Sequence, residues 1–161
     1  MEEPSEGETV KVMPNTGDWR SCLLESEAAR LALLASVQRV AILGIKTPEA
    51  GGPAFDVPAV MQRAGYHIIP VPVYYPEVTH ILGVPVHRTL TTIAPPPDMV
   101  VLFRRPIDVA GHLDELLAVR PRAVWMQQGI RHEAVAEALA KAGILVVQDA
   151  CVKIDLALMG R

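Results

Sequence analysis

The stretch Val40-Ala41-Ile42-Leu43-Gly44-Ile45-Lys46-Thr47-Pro48-Glu49-Ala50-Gly51-Gly52-Pro53-Ala54-Phe55 decides the architecture. Four apolar residues in a row, stopped by Gly44, suit a strand buried on both faces. Pro53 then opens a helical pattern carried by Val57, Val60 and Met61 and closed by Gly65, since proline is at home in the first turn of a helix. Pro58 falls inside that pattern and must lie in the first turn or make a kink. Strand, glycine-bearing loop and helix in this order place backbone N–H groups and a helix N-terminus where they can hold a phosphate, with Lys46 and Thr47 adding a charge and a hydroxyl. The same residues also suit an ordinary strand-to-helix turn. Neither G-x-G-x-x-G nor the Walker pattern occurs here.

The alternation continues outward. Tyr66 to Val71 reads as a second strand, and an irregular region with Pro72, Pro76, Gly83 and Pro85 follows, with a short helix over Thr89 to Ile93. Met99 to Phe103 is a third strand. Asp108 is expected to cap a helix through Leu113, Leu116 and Leu117, Ala123 to Met126 forms a fourth strand, and 131–142 a helix stopped by Gly143. Ile144 to Val147 is a fifth strand, with a last helix from about Ile154 to Met159. Upstream, Leu23, Leu24, Ala28, Leu31, Leu34 and Ala35 recur at helical spacing, which predicts a helix capped by Asp18 or Ser21 and ending near Ser36. Strands alternating with helices predict an α/β fold: a doubly wound, mainly parallel sheet of five or so strands with helices on both faces. Ligands of such sheets bind beyond the carboxyl ends of the strands.

Composition narrows the function. The chain has 161 residues, half of them hydrophobic and 20% charged, which suits one folded domain over 18–161. Residues 1–17 are acidic and rich in Gly, Pro, Ser and Thr, and read as a disordered tail. The net charge is −3, without the basic excess of a nucleic-acid domain. No apolar run is long enough to span a membrane, and the start has no signal-peptide pattern, so the chain reads as soluble and cytoplasmic. Cys22 and Cys151 cannot make a disulfide framework or a four-ligand zinc site by themselves. The five histidines (His67, His80, His87, His112 and His132) have no metal-ligand spacing.

The strand ends hold the remaining candidates. Phe103-Arg104-Arg105 offers an aromatic ring and two planar guanidinium forks suited to phosphate. Gln127 and Gln128 offer neutral hydrogen bonds. Cys151 stands near Asp149 and Lys153, and a neighbouring lysine favours a thiolate, although a cysteine after a buried strand is more often inert. No Ser-His-Asp set or carboxylate pair can be placed.

Taken in order, V-A-I-L-G, the Pro-opened helix, G-Y-H-I-I-P-V, V-V-L-F-R-R, A-V-W-M-Q-Q-G-I-R and V-V-Q-D-A-C-V-K resemble the small bacterial and archaeal CoA-binding proteins. These are Rossmann-like domains similar to the CoA-binding domain of the succinyl-CoA synthetase alpha subunit. The resemblance covers roughly 20–157. It implies coenzyme A or an acyl-CoA bound along the carboxyl edge of the sheet: Gly44, Ile45, Lys46 and Thr47 at the pyrophosphate with Pro53, Ala54 and Phe55 behind them, Pro70, Val71, Pro72 and Val73 on the adenine and ribose side, Phe103 and Arg104 flanking, and Met126, Gln127 and Gln128 towards the pantetheine. Family members often carry Arg where Gly52 stands and V-N-P where Val71-Pro72-Val73 stands, and the first loop is about one residue longer here. Their closing D-x-C-x-x-x-E-H is reduced to Asp149, Cys151 and Asp155, without the His.

The expected role is non-catalytic binding of this small nucleotide ligand, with no nucleic-acid or membrane partner and with a homodimer as a possible assembly. Two alternatives remain. One is a subunit of a CoA-handling or NAD-type enzyme acting with a partner. Against the NAD type, the second strand ends without the ribose-binding acid, the nearest being Glu77. The other is a protein-interaction domain with a decayed ligand site.

Overall fold

The computed structural model describes residues 18–161; the expected acidic tail at 1–17 lies outside them. The elements are α1 (Glu27–Ser36), β1 (Arg39–Leu43), α2 (Pro53–Arg63), β2 (His67–Val71), β3 (His80–Ile81), β4 (Val84–Pro85), β5 (Met99–Leu102), α3 (Pro106–Val109), α4 (Leu113–Val119), β6 (Ala123–Met126), α5 (Glu133–Lys141), β7 (Leu145–Val147) and α6 (Val152–Leu158). Short 3-10 turns sit at Trp19–Cys22, Leu90–Thr92 and Ala110–His112.

Five strands form one parallel sheet in the order β2-β1-β5-β6-β7, and β3 and β4 make a separate antiparallel hairpin. The fold is α/β and Rossmann-like. Because successive side chains of a strand point to opposite faces, each strand feeds two cores. Val40, Ile42, Val101 and Trp125 pack with Leu34 of α1, Met61 of α2 and Leu156 of α6. Ala41, Leu43, Val100 and Val124 pack with Val109 of α3, Leu116 of α4 and Leu139 of α5. Trp125 is fully buried and its indole N–H donates to the Ala150 carbonyl at 2.8 Å. Pro70 is accommodated because β2 lies at the sheet edge, where a missing N–H costs no ladder bond.

Three local expectations are corrected. The first helix is split. Asp18 caps only the 3-10 turn, accepting from Arg20 N–H at 3.0 Å. Leu23 then bridges to Val146, Leu24 N–H donates to the Val146 carbonyl at 2.8 Å, and α1 starts afresh behind Ser26, whose hydroxyl accepts from Ala29 N–H. The free edge of β7 draws Leu23 and Leu24 out of helical register, and Leu33 and Leu34 are buried in place of Ala28 and Ala35. Second, Asp108 lies inside α3 rather than capping it, because Pro106 opens that helix two residues earlier.

Third, of the two readings for Pro58 the first-turn one is excluded, because it stands beyond the first turn of α2 with helix on both sides of it. Its missing N–H frees the Ala54 carbonyl from the helical ladder, and that carbonyl accepts from Lys46 N–H at 3.2 Å. A helix defect is thereby turned into a tie between the first loop and the helix behind it.

Candidate functional site

The chain leaves β1 to one side for β2, then returns to the other side of β1 for β5. The crevice at such a reversal opens above the carboxyl ends of β1 and β5. Gly44 closes β1 with φ +95°, and its N–H donates to the Val71 carbonyl while Phe103 N–H donates to Leu43. The Gly44 and Phe103 backbones are in direct contact there. Thr47 shapes the loop that follows: its carbonyl accepts from Ala50 and Gly51 N–H at 3.1 and 3.2 Å, and its hydroxyl from Ala50 N–H at 3.4 Å. Gly52, at φ +81° and ψ −177°, caps α2 in backbone space essentially reserved for glycine. The N–H groups of Gly52 and Ala54 have no hydrogen-bond acceptor among the described residues and stand at the opening turn of α2.

A cleft of about 1090 Å³ opens on this loop and runs along the strand ends. Lys46, Gly51, Gly52, Pro53 and Ala54 line one side, Phe103, Arg104 and Arg105 follow β5, Gln127 and Gln128 follow β6, and Cys151, Lys153, Ile154 and Ala157 complete it beyond β7. Four cations face a single carboxylate, Asp56.

Arg104 is only 14% exposed and is held from behind. Its Nε donates to His112 Nε2 at 3.1 Å. An acceptor at Nε2 puts the ring proton on Nδ1, which donates to Glu115 Oε1 at 3.1 Å, while Glu115 Oε2 accepts from Leu90 N–H at 3.0 Å. The Tyr74 ring lies 5.8 Å from the guanidinium carbon. Arg105 is mostly exposed and pairs with Asp108 at 2.7 Å. The hydrogen bond from Arg105 holds the Asp108 carboxyl below its ordinary range.

Of the sequence candidates, Lys46, Pro53, Ala54, Phe103, Arg104, Gln127 and Gln128 meet in this cleft. Gly44, Ile45 and Thr47 lie buried beneath it, Phe55 packs into the core behind α2, and Met126 points into the opposite core. Pro70, Val71 and Pro72 are buried, and Val73 lines a separate groove with Tyr74, Tyr75, Pro76 and Arg88. Arg88 holds that groove together by donating to the carbonyls of Tyr74, Tyr75, Pro76 and Val78. The α6 residues Lys153, Ile154 and Ala157, with Asp56 and Ile130, were not singled out as a ligand surface. Their signal was positional: they follow strand ends or open a helix on the ligand edge. Among the described residues no three of His, Cys, Asp or Glu are grouped to hold a metal, and no helix is long and apolar enough to cross a membrane.

A cleft at the reversal point of a parallel sheet is where domains of the Rossmann-like class hold their ligands. Residues 38–157 match the family model described as CoA binding domain, and the chain belongs to that family. It is similar to the protein YneT of Bacillus subtilis, 33% identical over 129 residues that span 80% of this chain and 93% of that one. Among solved structures, cell-free ID.343 from Thermus thermophilus is 32% identical with a TM-score of 0.76, covering 84% of this chain and 99% of its own. A protein from Pyrococcus horikoshii OT3, 18% identical with a TM-score of 0.72 over 92% of this chain and 100% of its own, shares the fold.

Proposed function

We propose that this chain binds coenzyme A or an acyl-CoA in the cleft above β1 and β5, as a binding module rather than a catalyst. The observation that carries the reading is the composition of the cleft wall: Lys46, Arg104, Arg105 and Lys153 line it with Asp56, while Asp108 stands behind the two arginines, and apolar and amide side chains lie between the cations. The cations and the free N–H groups of Gly52 and Ala54 suit a pyrophosphate and phosphate. Gln127, Gln128 and Ile154 suit a neutral arm carrying amides. The volume, about 1090 Å³, lies just above the roughly 300–1,000 Å³ typical of small-molecule sites. No histidine lines the cleft, and its single carboxylate has no acidic neighbour there to work as an acid–base pair. In this reading Gly44, Ile45 and Thr47 shape the floor under the pyrophosphate, and the Tyr74 groove beyond β2 receives the adenine end.

Isothermal titration with CoA, acetyl-CoA, ADP and NAD tests it. CoA and acetyl-CoA are expected to bind, ADP more weakly, and NAD not at all. No heat with CoA at sub-millimolar concentration, or NAD binding more tightly than CoA, overturns it.

A further inference from the structure

The thiol end of the cleft carries a feature that binding alone does not use. The strand order sets the loops after β1, β5, β6 and β7 side by side along one edge. At about 4.8 Å per strand, β7 lies about 14 Å from β1. A ligand anchored by phosphates over the β1 loop and extended across this edge reaches the residues after β7. Cys151 stands there, half-buried, unpaired with Cys22 and lining the cleft.

A second observation points to a ligand at the same place. Gln127 is 3% exposed and lines the cleft. Its Oε1 accepts from Val152 N–H at 3.1 Å, which fixes the orientation of the amide. The Nε2 donor has no partner among the described residues. That donor is not sealed from solvent, since among the described residues the one buried side-chain atom without a partner is Arg39 Nε, so Nε2 opens on the cleft, where a ligand carbonyl can take it up in place of water. Cys151 directly precedes Val152, whose N–H the Gln127 amide holds, and both Gln127 and Cys151 line the cleft, so the open donor and the thiol share one end of it.

We propose that Cys151 is a site of reversible thiol modification by the ligand itself, forming a mixed disulfide with coenzyme A. The inference rests on the CoA reading above. The Cys151 thiolate attacks one sulfur of CoA disulfide. That S–S bond breaks, the Cys151–CoA S–S bond forms, and the second CoA leaves as a thiolate that takes up the proton Cys151 lost. One disulfide is exchanged for another, so CoA disulfide is the only oxidant required. Gln127 Nε2 donates to a pantetheine carbonyl and holds the arm in line with Cys151. Cys22 supplies an internal control, since it is 4% exposed and burial pushes its thiol up, so it is not expected to react.

The experiment incubates the full chain with CoA disulfide, and separately with glutathione disulfide, follows intact mass over time, and maps the modified peptide. One CoA per chain is expected, on Cys151, released by dithiothreitol, and formed at least ten-fold faster than the glutathione adduct. Gln127→Leu is expected to narrow that ratio, and Cys151→Ala to abolish the adduct. Equal rates with the two disulfides, adduct on Cys22, or no adduct overturns the inference. Titration with reduced CoA separates the two readings: binding without adduct sinks this inference alone, whereas neither binding nor adduct sinks the CoA reading with it.

Discussion

Gly44 presents its α-carbon to the Phe103 carbonyl oxygen, and a β-carbon at Gly44 would overlap that oxygen and stand 3.0 Å from the Phe103 carbonyl carbon. The two residues end the central strands β1 and β5, so their contact sets how closely the crevice floor closes. Gly44 also holds φ +95°, outside the range of ordinary side chains. Gly44→Ala is therefore expected to cost at least about 2 kcal/mol, read as a lower urea midpoint with an unchanged slope. CoA affinity should fall with it, because the clash can relax only by moving Phe103 or the first loop. Wild-type stability in this variant would show that the contact does not constrain the floor.

Arg104 differs from the other cations of the cleft in being held on its far side by His112 and Glu115. Removing a charged donor to a phosphate costs about 1.5–3 kcal/mol, so Arg104→Ala is expected to weaken CoA at least about ten-fold. His112→Ala leaves the charge but frees its direction, and about three-fold is expected. The two effects should not add, because without Arg104 there is nothing for His112 to orient. Titration of both single variants and the double variant measures this coupling. Additive losses would mean that His112 acts on the ligand by another route.

The sheet was legible because its strands are short apolar runs buried on both faces, which side-chain pattern alone reports. The hidden parts depend on partners distant in sequence. Leu23 and Leu24 fit a helical period, and only the open edge of β7 makes extension better for them. Thr47 offers the same hydroxyl to a phosphate or to its own turn, and the structure shows its oxygen accepting from Ala50 N–H within the turn, which leaves the O–H as a donor. Pro70 to Val73 sit at a strand end in sequence, but Pro70, Val71 and Pro72 are buried and Val73 lines the Tyr74 groove instead. Gly52 is the reverse case. The resemblance implies an arginine where Gly52 stands, and the structure shows there a backbone that favours glycine over any side chain.

Acid should loosen the amino ends of the strands. Asp98 Oδ2 accepts from the N–H groups of Gln38 and Arg39, both at 2.8 Å. Burial pushes this carboxyl up, but those two bonds and the charges of Arg122 and Arg39 outweigh it, and its pKa is held below the ordinary value. A depressed carboxyl stabilises the fold above its unfolded value of about 3.9, and that contribution is lost as pH falls through the folded value. Asp108, through Arg105, and Glu133, through Arg131, shift the same way, but as surface pairs they contribute little. Urea midpoints at pH 7 and pH 3 should therefore drop more for the wild type than for Asp98→Asn. Equal drops would place the acid sensitivity elsewhere.

Arg30 and Asp155 tie α1 to α6 behind Cys151, with Nε to Oδ2 at 2.7 Å and Nη2 to Oδ1 at 3.3 Å. The pair is asymmetric: Asp155 is 3% exposed and Arg30 21%. The hydrogen bond to Asp155 raises the Arg30 pKa, outweighing the opposing effect of burial. The asymmetry decides which loss matters more. Arg30→Ala strands a carboxylate in the interior with no other side-chain partner among the described residues, and about 3 kcal/mol is expected. Asp155→Asn removes the buried charge itself and leaves Arg30 able to turn to water, so it should cost less. Replacing both residues by leucine should recover most of the loss, because two apolar side chains leave no charge to desolvate. Thermal or urea unfolding of the three variants ranks them. If Asp155→Asn proved the more damaging, the pair would be stabilising by attraction rather than by sparing Asp155 an unmatched burial. Because Asp155 N–H also donates to the Cys151 carbonyl at 3.1 Å, Arg30→Ala should further raise hydrogen exchange in the first turn of α6, the turn that carries the cleft's thiol.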